Sequence, residues 1–404
     1  MFSKRIINKK KCICGGRLKK KINFGKLPLI NLFKKNRTPK YPTIITECSS
    51  CKLIQLQKSV KDEIIYPKNY LYKSGDSADA LEDFKELIQK LKKKFTNKLL
   101  NIVDVGGNDG SLMLIAKKSG FKVLNIEPTN AADISKKKGV NTLKKKFSYR
   151  SATLLNKKKK KYDFLVSTNF FGHINNLDEI IISSKKILKE NGIMILELQY
   201  IKKIIQNNGF DSFHQDHKYY YSINSLQRIL NKFNLYIFDT EFCKKHNEIF
   251  RVYISQIKRK KSKRLIKLIQ EERKTNIFNE LKKLSIFRKM HTKKLSRLIK
   301  NISLKNKIVY GIGASPRGCV LLNSCNFSKF EIHKVGEVPG SDKINKLIPG
   351  TNIPIYSENR ILSDQPDYVL ILAWHFQKRL VRMLQKKGFK GKFILPLPKI
   401  KILN

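Results

Sequence analysis

The stretch Asn101-Ile-Val-Asp104-Val-Gly106-Gly107-Asn108-Asp109-Gly110-Ser111 decides the fold of the central part of this chain. It places a glycine-rich turn between a predicted strand and a predicted helix. Strand-like runs occur at 99–105, 122–126, 164–167 and 193–196, with helical stretches between them. Alternation of this kind is typical of a parallel sheet with crossover helices. We therefore predict an α/β domain in this region.

The glycine-rich turn does not have the Gly-x-Gly-x-x-Gly spacing of a dinucleotide site. An acidic residue followed by Gly-x-x-x-Gly is instead typical of an S-adenosylmethionine loop. Glu127 follows the second strand, where a carboxylate accepts hydrogen bonds from both hydroxyls of a ribose. Asn169 follows the third strand, at the sheet edge where ligands bind. The predicted cofactor is S-adenosylmethionine, and its predicted binding residues are Asp104, Gly106, Gly110, Glu127 and Asn169.

Four of the seven cysteines lie within the first 51 residues. Cys48-x-x-Cys51 has the usual spacing of a zinc knuckle, and Cys12-x-Cys14 is one residue shorter. The pattern predicts a structural zinc ion held by all four thiolates, which would leave no position for a catalytic water. The alternative is four unrelated thiols.

A second glycine-rich turn lies near the C-terminus, at Gly311-Ile-Gly313-Ala314-Ser315-Pro316-Arg317-Gly318. It follows a predicted strand and opens a helix, a setting suited to a phosphate on backbone N–H groups. Arg317 would add a bidentate contact, and Lys343 is a further candidate. The alternative is a second Rossmann-like turn that serves folding only.

At about 150 residues per domain, the 404 residues predict two or three domains. Residues 78–95 have the apolar spacing of an amphipathic helix, and residues 258–305 are charged and helical in pattern. A second alternating unit has strands expected at 307–311, 334–338, 368–372 and 393–395. The predicted α/β organisation has a small zinc-binding module (1–75), a central Rossmann-like methyltransferase domain (76–257), a helical connector (258–305) and a second Rossmann-like domain (306–404).

The chain is strongly basic, since 85 Lys and Arg against 31 Asp and Glu give a formal net charge of +54. The basic residues are spread over runs at 9–11, 19–21, 92–94, 157–161 and 258–261, mostly in predicted loops and helix ends. This distribution favours a solvated surface over a nucleic-acid site, which stays open as an alternative. No run approaches the roughly 18 apolar residues of a membrane span, and the first residues lack an apolar leader. We expect a cytoplasmic protein.

Motifs in three regions, in order, resemble the S-adenosylmethionine-dependent C-methyltransferases that act on nucleotide-linked 4-keto deoxysugars. The matching residues are Cys14-Gly15, Leu27-Pro28, Cys48 to Cys51 and Asn69-Tyr70-Leu71-Tyr72-Lys73-Ser74, then Gly106 to Gly110 and Glu127-Pro128, then Tyr310-Gly311, Pro349-Gly350-Thr351 and Leu370-Ile371-Leu372-Ala373-Trp374. The resemblance implies that the second Rossmann-like domain holds the nucleotide diphosphate of the substrate. The predicted substrate-binding residues are Gly311, Gly313, Arg317 and Lys343.

The stretch Phe210-Asp211-Ser212-Phe213-His214-Gln215-Asp216-His217 resembles the family pattern Phe-Asp-Thr-Ile-Tyr-His-Glu-His. His217 matches the final His, Asp216 matches the Glu, and His214 stands where many relatives have Tyr. His375 is a second departure, because the family usually has Asn after the Trp.

Carbon is a poor nucleophile until a proton is removed beside a carbonyl, so a C-methyltransferase needs a base whose pKa is near neutral. We expect His217 to take the proton next to the 4-keto group and Asp216 to orient it. His214, His173 and Tyr72 are expected to hydrogen-bond the developing enolate oxygen.

Two other functions remain as alternatives. A nucleic-acid methyltransferase is favoured by the charge, although the chain lacks an Asn-Pro-Pro-Tyr or Asp-Pro-Pro-Tyr signature. A protein of carbohydrate metabolism that binds a nucleotide sugar without catalysis is the other alternative, and it would not bind S-adenosylmethionine.

Overall fold

A computed structural model describes residues 5–94, 100–157, 160–245 and 248–404. Leu99 of the predicted strand 99–105, Phe95 of the predicted helix 78–95 and two lysines of the basic run 157–161 lie outside these ranges, as do the first four residues. None of the helices within them is both long enough and apolar enough to cross a membrane.

The chain divides into two compact units. The first contains the residues up to 21 together with 46–203 and 218–277, and the second contains 22–45, 204–217 and 278–404. The units therefore interleave along the sequence. The division into four consecutive segments stays a prediction.

The strands and helices are numbered in chain order. The strands are β1 Ile6–Asn8, β2 Leu18–Pro28, β3 Lys40–Cys48, β4 Ile54–Leu56, β5 Lys58–Val60, β6 Asn101–Val105, β7 Lys122–Ile126, β8 Thr142–Leu143, β9 Tyr162–Thr168, β10 Leu188–Gln199, β11 Tyr219–Tyr220, β12 Tyr236–Phe242, β13 Ile249–Ser255, β14 Val309–Ile312, β15 Val335–Glu337, β16 Ile355–Ser357, β17 Tyr368–Ile371, β18 Lys392–Leu395 and β19 Lys401–Leu403. The helices are α1 Asp62–Ile65, α2 Ala78–Lys94, α3 Ser111–Lys118, α4 Ala131–Lys137, α5 Tyr149–Lys157, α6 Leu177–Ile187, α7 Ile201–Gln206, α8 Ile223–Asn231, α9 Lys263–Arg273, α10 Ile277–Ser303, α11 Pro316–Ser324, α12 Asn359–Asp364 and α13 Gln377–Lys386.

The main sheet of the first unit has seven strands in the order β12-β13-β10-β9-β6-β7-β8. The pairs from β10 to β8 are parallel, which confirms the predicted parallel sheet. Strands β12 and β13 pair antiparallel at one side and were not predicted. Because β6, β7 and β9 are parallel, their carboxyl ends lie along one edge, where the predicted cofactor residues follow them.

The faces of this sheet are covered by two separate apolar clusters. Val103 and Val105 of β6 pack into one cluster, whereas Ile102 packs into the other. Successive side chains of a strand point to opposite faces, so a strand covered on both sides has apolar residues on both faces. Ile102, Val103 and Val105 of β6 follow this rule, and the buried polar residue Asp104 lies near its carboxyl end.

The N-terminal part of the chain contains two long strands, β2 with 11 residues and β3 with nine. These strands belong to a four-stranded sheet with the order β11-β4-β3-β2, while β1 pairs with β5. Strand β11 comes from far along the chain, so local sequence gave no signal for its pairing.

The second unit contains a six-stranded sheet with the order β16-β15-β14-β17-β18-β19. Neighbouring strands of this sheet are parallel from β16 to β18, as predicted, and β19 pairs antiparallel at one edge. The charged stretch before it is helical, as its pattern indicated, and forms α9 and the long α10.

A fully buried arginine stabilises the antiparallel side of the first sheet. Arg251 donates from Nε and Nη2 to Glu197 at 2.9 and 2.6 Å, and from Nη1 to Glu241 at 2.9 Å. Its Nη2 also donates to the carbonyl of Asp83 at 3.2 Å. The guanidinium thus neutralises the buried carboxylate of Glu197.

Replacing Arg251 with Met is expected to lower the free energy of unfolding by about 3–5 kcal/mol, because a buried carboxylate loses its partner. Arg264→Met is the matched control. Its half-exposed guanidinium binds Asp239 and Glu241, and an exposed pair contributes about 1 kcal/mol or less. Urea unfolding followed by circular dichroism measures both losses, and equal losses would contradict this account.

Candidate active site

The predicted cofactor turn leaves β6 and enters α3 with three backbone conformations of positive φ. Gly106, Asn108 and Gly110 have φ of 75°, 50° and 72°. A Cβ at Gly106 would lie 2.6 Å from the ring of Phe170, and one at Gly110 would lie 2.1 Å from the Ser135 Oγ. Glycine is therefore required at both positions by conformation and by space.

Glu127, at the end of β7, is held against this turn by both of its carboxylate oxygens. Its Oε2 accepts a hydrogen bond from the backbone N–H of Asn108 at 3.1 Å, and its Oε1 accepts one from Thr129 at 2.9 Å. Each oxygen keeps a second lone pair, since an ionised carboxylate accepts about four hydrogen bonds. The carboxylate is thus fixed in place and still able to accept from a ribose.

Two predicted cofactor residues have buried oxygens that need a donor. The Oδ1 of Asp104 and the Oδ1 of Asn169 are buried and accept no hydrogen bond within the part of the chain that the structure describes. Burial, with repulsion from Glu197 and Glu127, raises the pKa of Asp104 well above its usual value. Buried oxygens without donors are costly, so a ligand with N–H, O–H or positive charge fits this edge.

The sequence did not predict that residues 72–76 close over the turn. Asp109 accepts from the Ser74 hydroxyl at 2.8 Å and from Lys138 at 2.7 Å. The Asn108 side chain donates to the carbonyl of Tyr72 at 3.0 Å and accepts from the Ser74 N–H. The structure therefore places the predicted catalytic residue Tyr72 beside the cofactor turn, with about half of its surface exposed.

His173 also belongs to the first unit. Its Nδ1 lies 2.9 Å from the hydroxyl of Tyr66, and the two rings stack with centroids 6.2 Å apart. A phenol that donates to Nδ1 leaves the proton of a neutral imidazole on Nε2. Tyr66 was not predicted, because nothing in its local sequence indicates a partner about a hundred residues away.

The other predicted catalytic residues belong to the second unit, in a loop anchored by Asp211. The fully buried Asp211 accepts from Arg317 at 2.6 Å and from the Trp374 Nε1 at 2.7 Å. The guanidinium also lies over the Trp374 ring, 4.6 Å from its centroid. Arg317 was predicted to bind phosphate, and the structure shows its guanidinium engaged with this carboxylate and this ring.

The next residue of the loop orients His217. The Ser212 carbonyl lies 3.0 Å from the His217 Nδ1, so Nδ1 carries the proton of the neutral ring and Nε2 has the lone pair. The pKa of His217 is lowered to about 4, mainly by burial and in part by the charge of Arg317, while the hydrogen bond to the Ser212 carbonyl opposes this shift. The pKa is thus below the near-neutral value of the sequence-based prediction, because the ring is buried and is repelled by the Arg317 cation of α11. The ring is neutral at pH 7 and has the protonation state of a base.

His214 and Asp216 come shortly before His217 in the sequence, and both are buried. The rings of His214 and His217 have centroids 4.0 Å apart. The Asp216 Oδ2 accepts a hydrogen bond from the Asn31 side chain at 3.0 Å. The structure thus brings His214, Asp216 and His217 into one loop, and the orienting role of Asp216 stays a prediction.

The second glycine-rich turn joins β14 to α11. Gly313 has a φ of 83°, and Gly311 lies within β14. The Ser315 hydroxyl caps α11 by accepting from the Gly318 N–H at 3.0 Å. Lys343 donates to the carbonyl of Ala314 at 3.0 Å.

The four N-terminal cysteines are buried together in the first unit. Their sulfur atoms lie within 4.8 Å of one another, with 3.6 Å from Cys12 to Cys51 and 3.4 Å from Cys14 to Cys48. Four sulfurs at Zn–S distances of about 2.3 Å in a tetrahedron lie about 3.8 Å apart. The donor set and its spacing fit a zinc ion.

Comparison with known proteins gives two family matches. Residues 78–239 match the family described as methyltransferase domain, and residues 248–398 match the family described as C-methyltransferase C-terminal domain. The chain is 23% identical over 374 residues to the C-methyltransferase NovU of Streptomyces niveus, covering 90% of this chain and 88% of that protein. It is 32% identical over 120 residues to the ubiquinone biosynthesis O-methyltransferase of Pelagibacter ubique (strain HTCC1062), covering 29% of this chain and 47% of that protein.

Solved structures show more distant likeness. An S-adenosylmethionine-dependent methyltransferase from Clostridium acetobutylicum ATCC 824 has a TM-score of 0.36 and 13% identity, covering 43% of this chain and 91% of that one. Magnesium protoporphyrin IX methyltransferase from Synechocystis PCC 6803 with bound S-adenosylmethionine has a TM-score of 0.34 and 14% identity, covering 44% of this chain and 78% of that one.

The matched methyltransferase domain contains strands β6 to β10 of the seven-stranded sheet and its glycine-rich turn. The chain is thus an S-adenosylmethionine-dependent methyltransferase. The match of its C-terminal part and the similarity to NovU along most of the chain make it, more particularly, a C-methyltransferase.

Arg317→Gln is expected to raise the pKa of His217, because it removes the cation and leaves the Asp211 carboxylate uncompensated. Arg317→Lys keeps the charge and is expected to leave the pKa low. Nitrogen-edited NMR of the imidazoles, recorded from pH 7.5 to pH 5, measures the change. His217 should stay neutral throughout in the wild type and begin to protonate in Arg317→Gln, and an unchanged or lower pKa in that variant would contradict the assignment.

Proposed function

We propose that this enzyme methylates a ring carbon of a nucleotide-linked 4-keto deoxysugar, or of a related carbonyl-activated sugar, after His217 removes a proton from that carbon. The observation that carries the proposal is the hydrogen bond between the Ser212 carbonyl and the His217 Nδ1, which directs the basic lone pair to Nε2. The resemblance of residues 210–217 to the sugar methyltransferase motif supports the substrate class.

The carboxyl edge of β6, β7 and β9 would hold the cofactor. Glu127 would accept hydrogen bonds from the ribose hydroxyls of the cofactor. The buried oxygens of Asp104 and Asn169 would accept hydrogen bonds from other donors of the cofactor or lie near its positive charge. Bound S-adenosylmethionine supplies an electrophilic methyl group. The hydrogen bonds that Asp109 accepts from the Ser74 hydroxyl and the Gly75 N–H hold residues 72–76 over the turn and limit the access of water to it.

His217 acts as the general base in its neutral form. A base whose pKa is about 4 is weak in water, and it removes a carbon-bound proton only where the product enolate is stabilised. His173, His214 and Tyr72 therefore donate hydrogen bonds to the enolate oxygen in this scheme. A Tyr66 hydroxyl that donates to the His173 Nδ1 leaves the proton of that ring on Nε2.

The four-cysteine cluster is proposed to bind one structural zinc ion. The sulfurs of Cys12, Cys14, Cys48 and Cys51 are buried and close together, and four thiolates complete the usual coordination of zinc. The ion would link the end of β3 to the turn that follows β1. No catalytic step is assigned to it.

His217→Asn is expected to slow proton abstraction by about 10²–10⁴-fold, because the amide cannot act as the base. Two measurements are made on a panel of nucleotide-linked 4-keto sugars. One is transfer of a labelled methyl group, followed by mass spectrometry. The other is exchange of the acidic C–H for deuterium in D2O with S-adenosylhomocysteine present. His333→Asn is the control, since this imidazole lies near the Val309 carbonyl and is not in the loop.

Loss of both methyl transfer and exchange in a folded His217→Asn protein supports the base role. Exchange at the wild-type rate would remove His217 from that role. If no sugar on the panel is methylated by the wild type, the substrate class is wrong whatever the variant does.

The zinc proposal predicts about one zinc ion per chain after purification without added metal, measured by inductively coupled plasma mass spectrometry. Cys48→Ser should lower the zinc content and the temperature of unfolding, because removing one ligand opens the site. Cys243→Ser replaces a buried cysteine outside the cluster and should keep the metal. The proposal would be contradicted by wild-type protein that contains no zinc after purification and takes up none when it is refolded in the presence of zinc.

A further inference from the structure

The loop that contains His173 is bound on both sides by a fully buried lysine and its partner. The backbone N–H of Lys218 donates to the carbonyl of Gly172 at 2.7 Å. The ammonium of Lys218 binds the Oδ1 of Asp62, and the lysine side chain has no exposed surface. Asp62 in turn accepts hydrogen bonds from the backbone and the side-chain amide of Asn175, at 3.1 and 2.7 Å. The residue before His173 and the residue two positions after it are therefore both tied to this ion pair.

The ammonium of Lys218 also faces the tyrosine that binds His173. Its Nζ lies 5.9 Å from the centroid of the Tyr66 ring, within the range of a cation–π contact. The hydroxyl of the same ring lies 2.9 Å from the His173 Nδ1. A cation over the ring favours one orientation of the tyrosine, and in that orientation the hydroxyl stays at Nδ1.

Stability alone is a weak reason for this ion pair. Transferring an ammonium and a carboxylate from water into the protein costs free energy that their mutual attraction only roughly offsets, and apolar side chains of the same volume often stabilise a fold equally well. An apolar pair would not hold a cation over Tyr66 or a carboxylate on Asn175. The charges of Lys218 and Asp62 thus have a consequence at His173 that packing does not supply.

We propose that Lys218 is a positioning residue, which holds the Tyr66 hydroxyl on the Nδ1 of His173 and so keeps the proton of this imidazole on Nε2. The inference rests on the proposed function for the role of His173 as a donor to the enolate oxygen, and it adds the residue that prepares this donor. A donor contributes most when it is oriented before the charge develops. Lys218 acts through Tyr66 and transfers no proton in the reaction.

The test removes the cation of Lys218 and keeps its surroundings. In Lys218→Met/Asp62→Asn both charges are lost together, so no buried charge is left without a counter-ion. The amide oxygen at position 62 still accepts from Asn175. Lys218→Gln is a second variant, because its amide donates to the unchanged Asp62 carboxylate and keeps the test valid if the double variant does not fold.

Lys9→Met is the matched control. Lys9 also lies over a tyrosine ring, with its Nζ 4.1 Å from the centroid of Tyr219. The hydroxyl of Tyr219 donates to the carbonyl of Asn175 at 3.2 Å, however, and not to His173. Removing this cation therefore disturbs the same loop without the Tyr66 contact.

Two properties are measured on the full chain. Nitrogen-edited NMR at pH 8 without substrate gives the tautomer of His173, whose signals are assigned by their loss in His173→Asn. Steady-state methyl transfer to a nucleotide-linked 4-keto sugar that the wild type accepts gives kcat and the KM for S-adenosylmethionine. Thermal unfolding and binding of S-adenosylhomocysteine show which variants are folded with an intact cofactor site.

The wild type and Lys9→Met are expected to show the Nε2–H tautomer alone and to agree in kcat within twofold. Both Lys218 variants should show the Nδ1–H tautomer as well, lower kcat about tenfold and leave the KM within twofold, because Nε2–H loses its fixed orientation. Tyr66→Phe should do the same. Adding it to the double variant should lower kcat no further, since both changes remove one interaction.

A folded Lys218 variant with the wild-type kcat and a single tautomer would show that Lys218 only balances the charge of Asp62, and would overturn the proposal. A further tenfold loss when Tyr66→Phe is added would overturn the path through Tyr66. If the wild type methylates no sugar, the proposed substrate class is wrong, whereas the spectrum of His173 tests the role of Lys218 without any substrate.

Discussion

The hydrogen bond from the Asn108 backbone to Glu127 is the interaction on which the cofactor site depends. It joins the turn after β6 to the end of β7, and these adjacent parallel strands fix the distance between them. The turn reaches the carboxylate only because Gly106, Asn108 and Gly110 adopt positive φ. Asp109 lies in the same turn and binds Ser74 and Lys138. The positions of these polar groups therefore depend on both the strand pairing and the conformation of the turn.

Sequence reasoning found what is encoded locally and missed what depends on distant pairing. The turn at 106–110 and Glu127 lie within about twenty residues, and parallel β–α–β geometry brings such residues together whatever the rest of the chain does. The contact between Asp211 and Trp374 joins residues 163 positions apart, and no periodicity or spacing predicts it. Strands β12 and β13 were not predicted, because the alternation of strands and helices indicates parallel pairing and gives no signal for an antiparallel edge.

His217 shows why the type of a residue alone does not give its chemistry. A free imidazole has a pKa near neutrality, which is the reason for expecting a histidine as the base. Burial and Arg317 nevertheless lower the pKa of this imidazole to about 4. Arg317 itself is held by the buried carboxylate of Asp211 and by the ring of Trp374. The loop therefore orients His217 through the Ser212 carbonyl and keeps it neutral through its surroundings. The motif led to the prediction that Asp216 orients His217, and neither the contact with the Ser212 carbonyl nor the electrostatic setting was predicted from the sequence.

The large positive charge and the chemistry of the sites are separate properties of this chain. Among the described residues, the buried charged side chains include ten acidic ones but only the two basic residues Lys218 and Arg251. The excess of lysine therefore lies at the surface, where solvent screens it. A buried carboxylate that already accepts backbone N–H bonds, such as Glu127, selects for ligands that bring hydroxyl donors or positive charge. A sulfonium cofactor with a ribose meets that requirement, and a polyanion bound through surface lysines would not use this carboxylate at all.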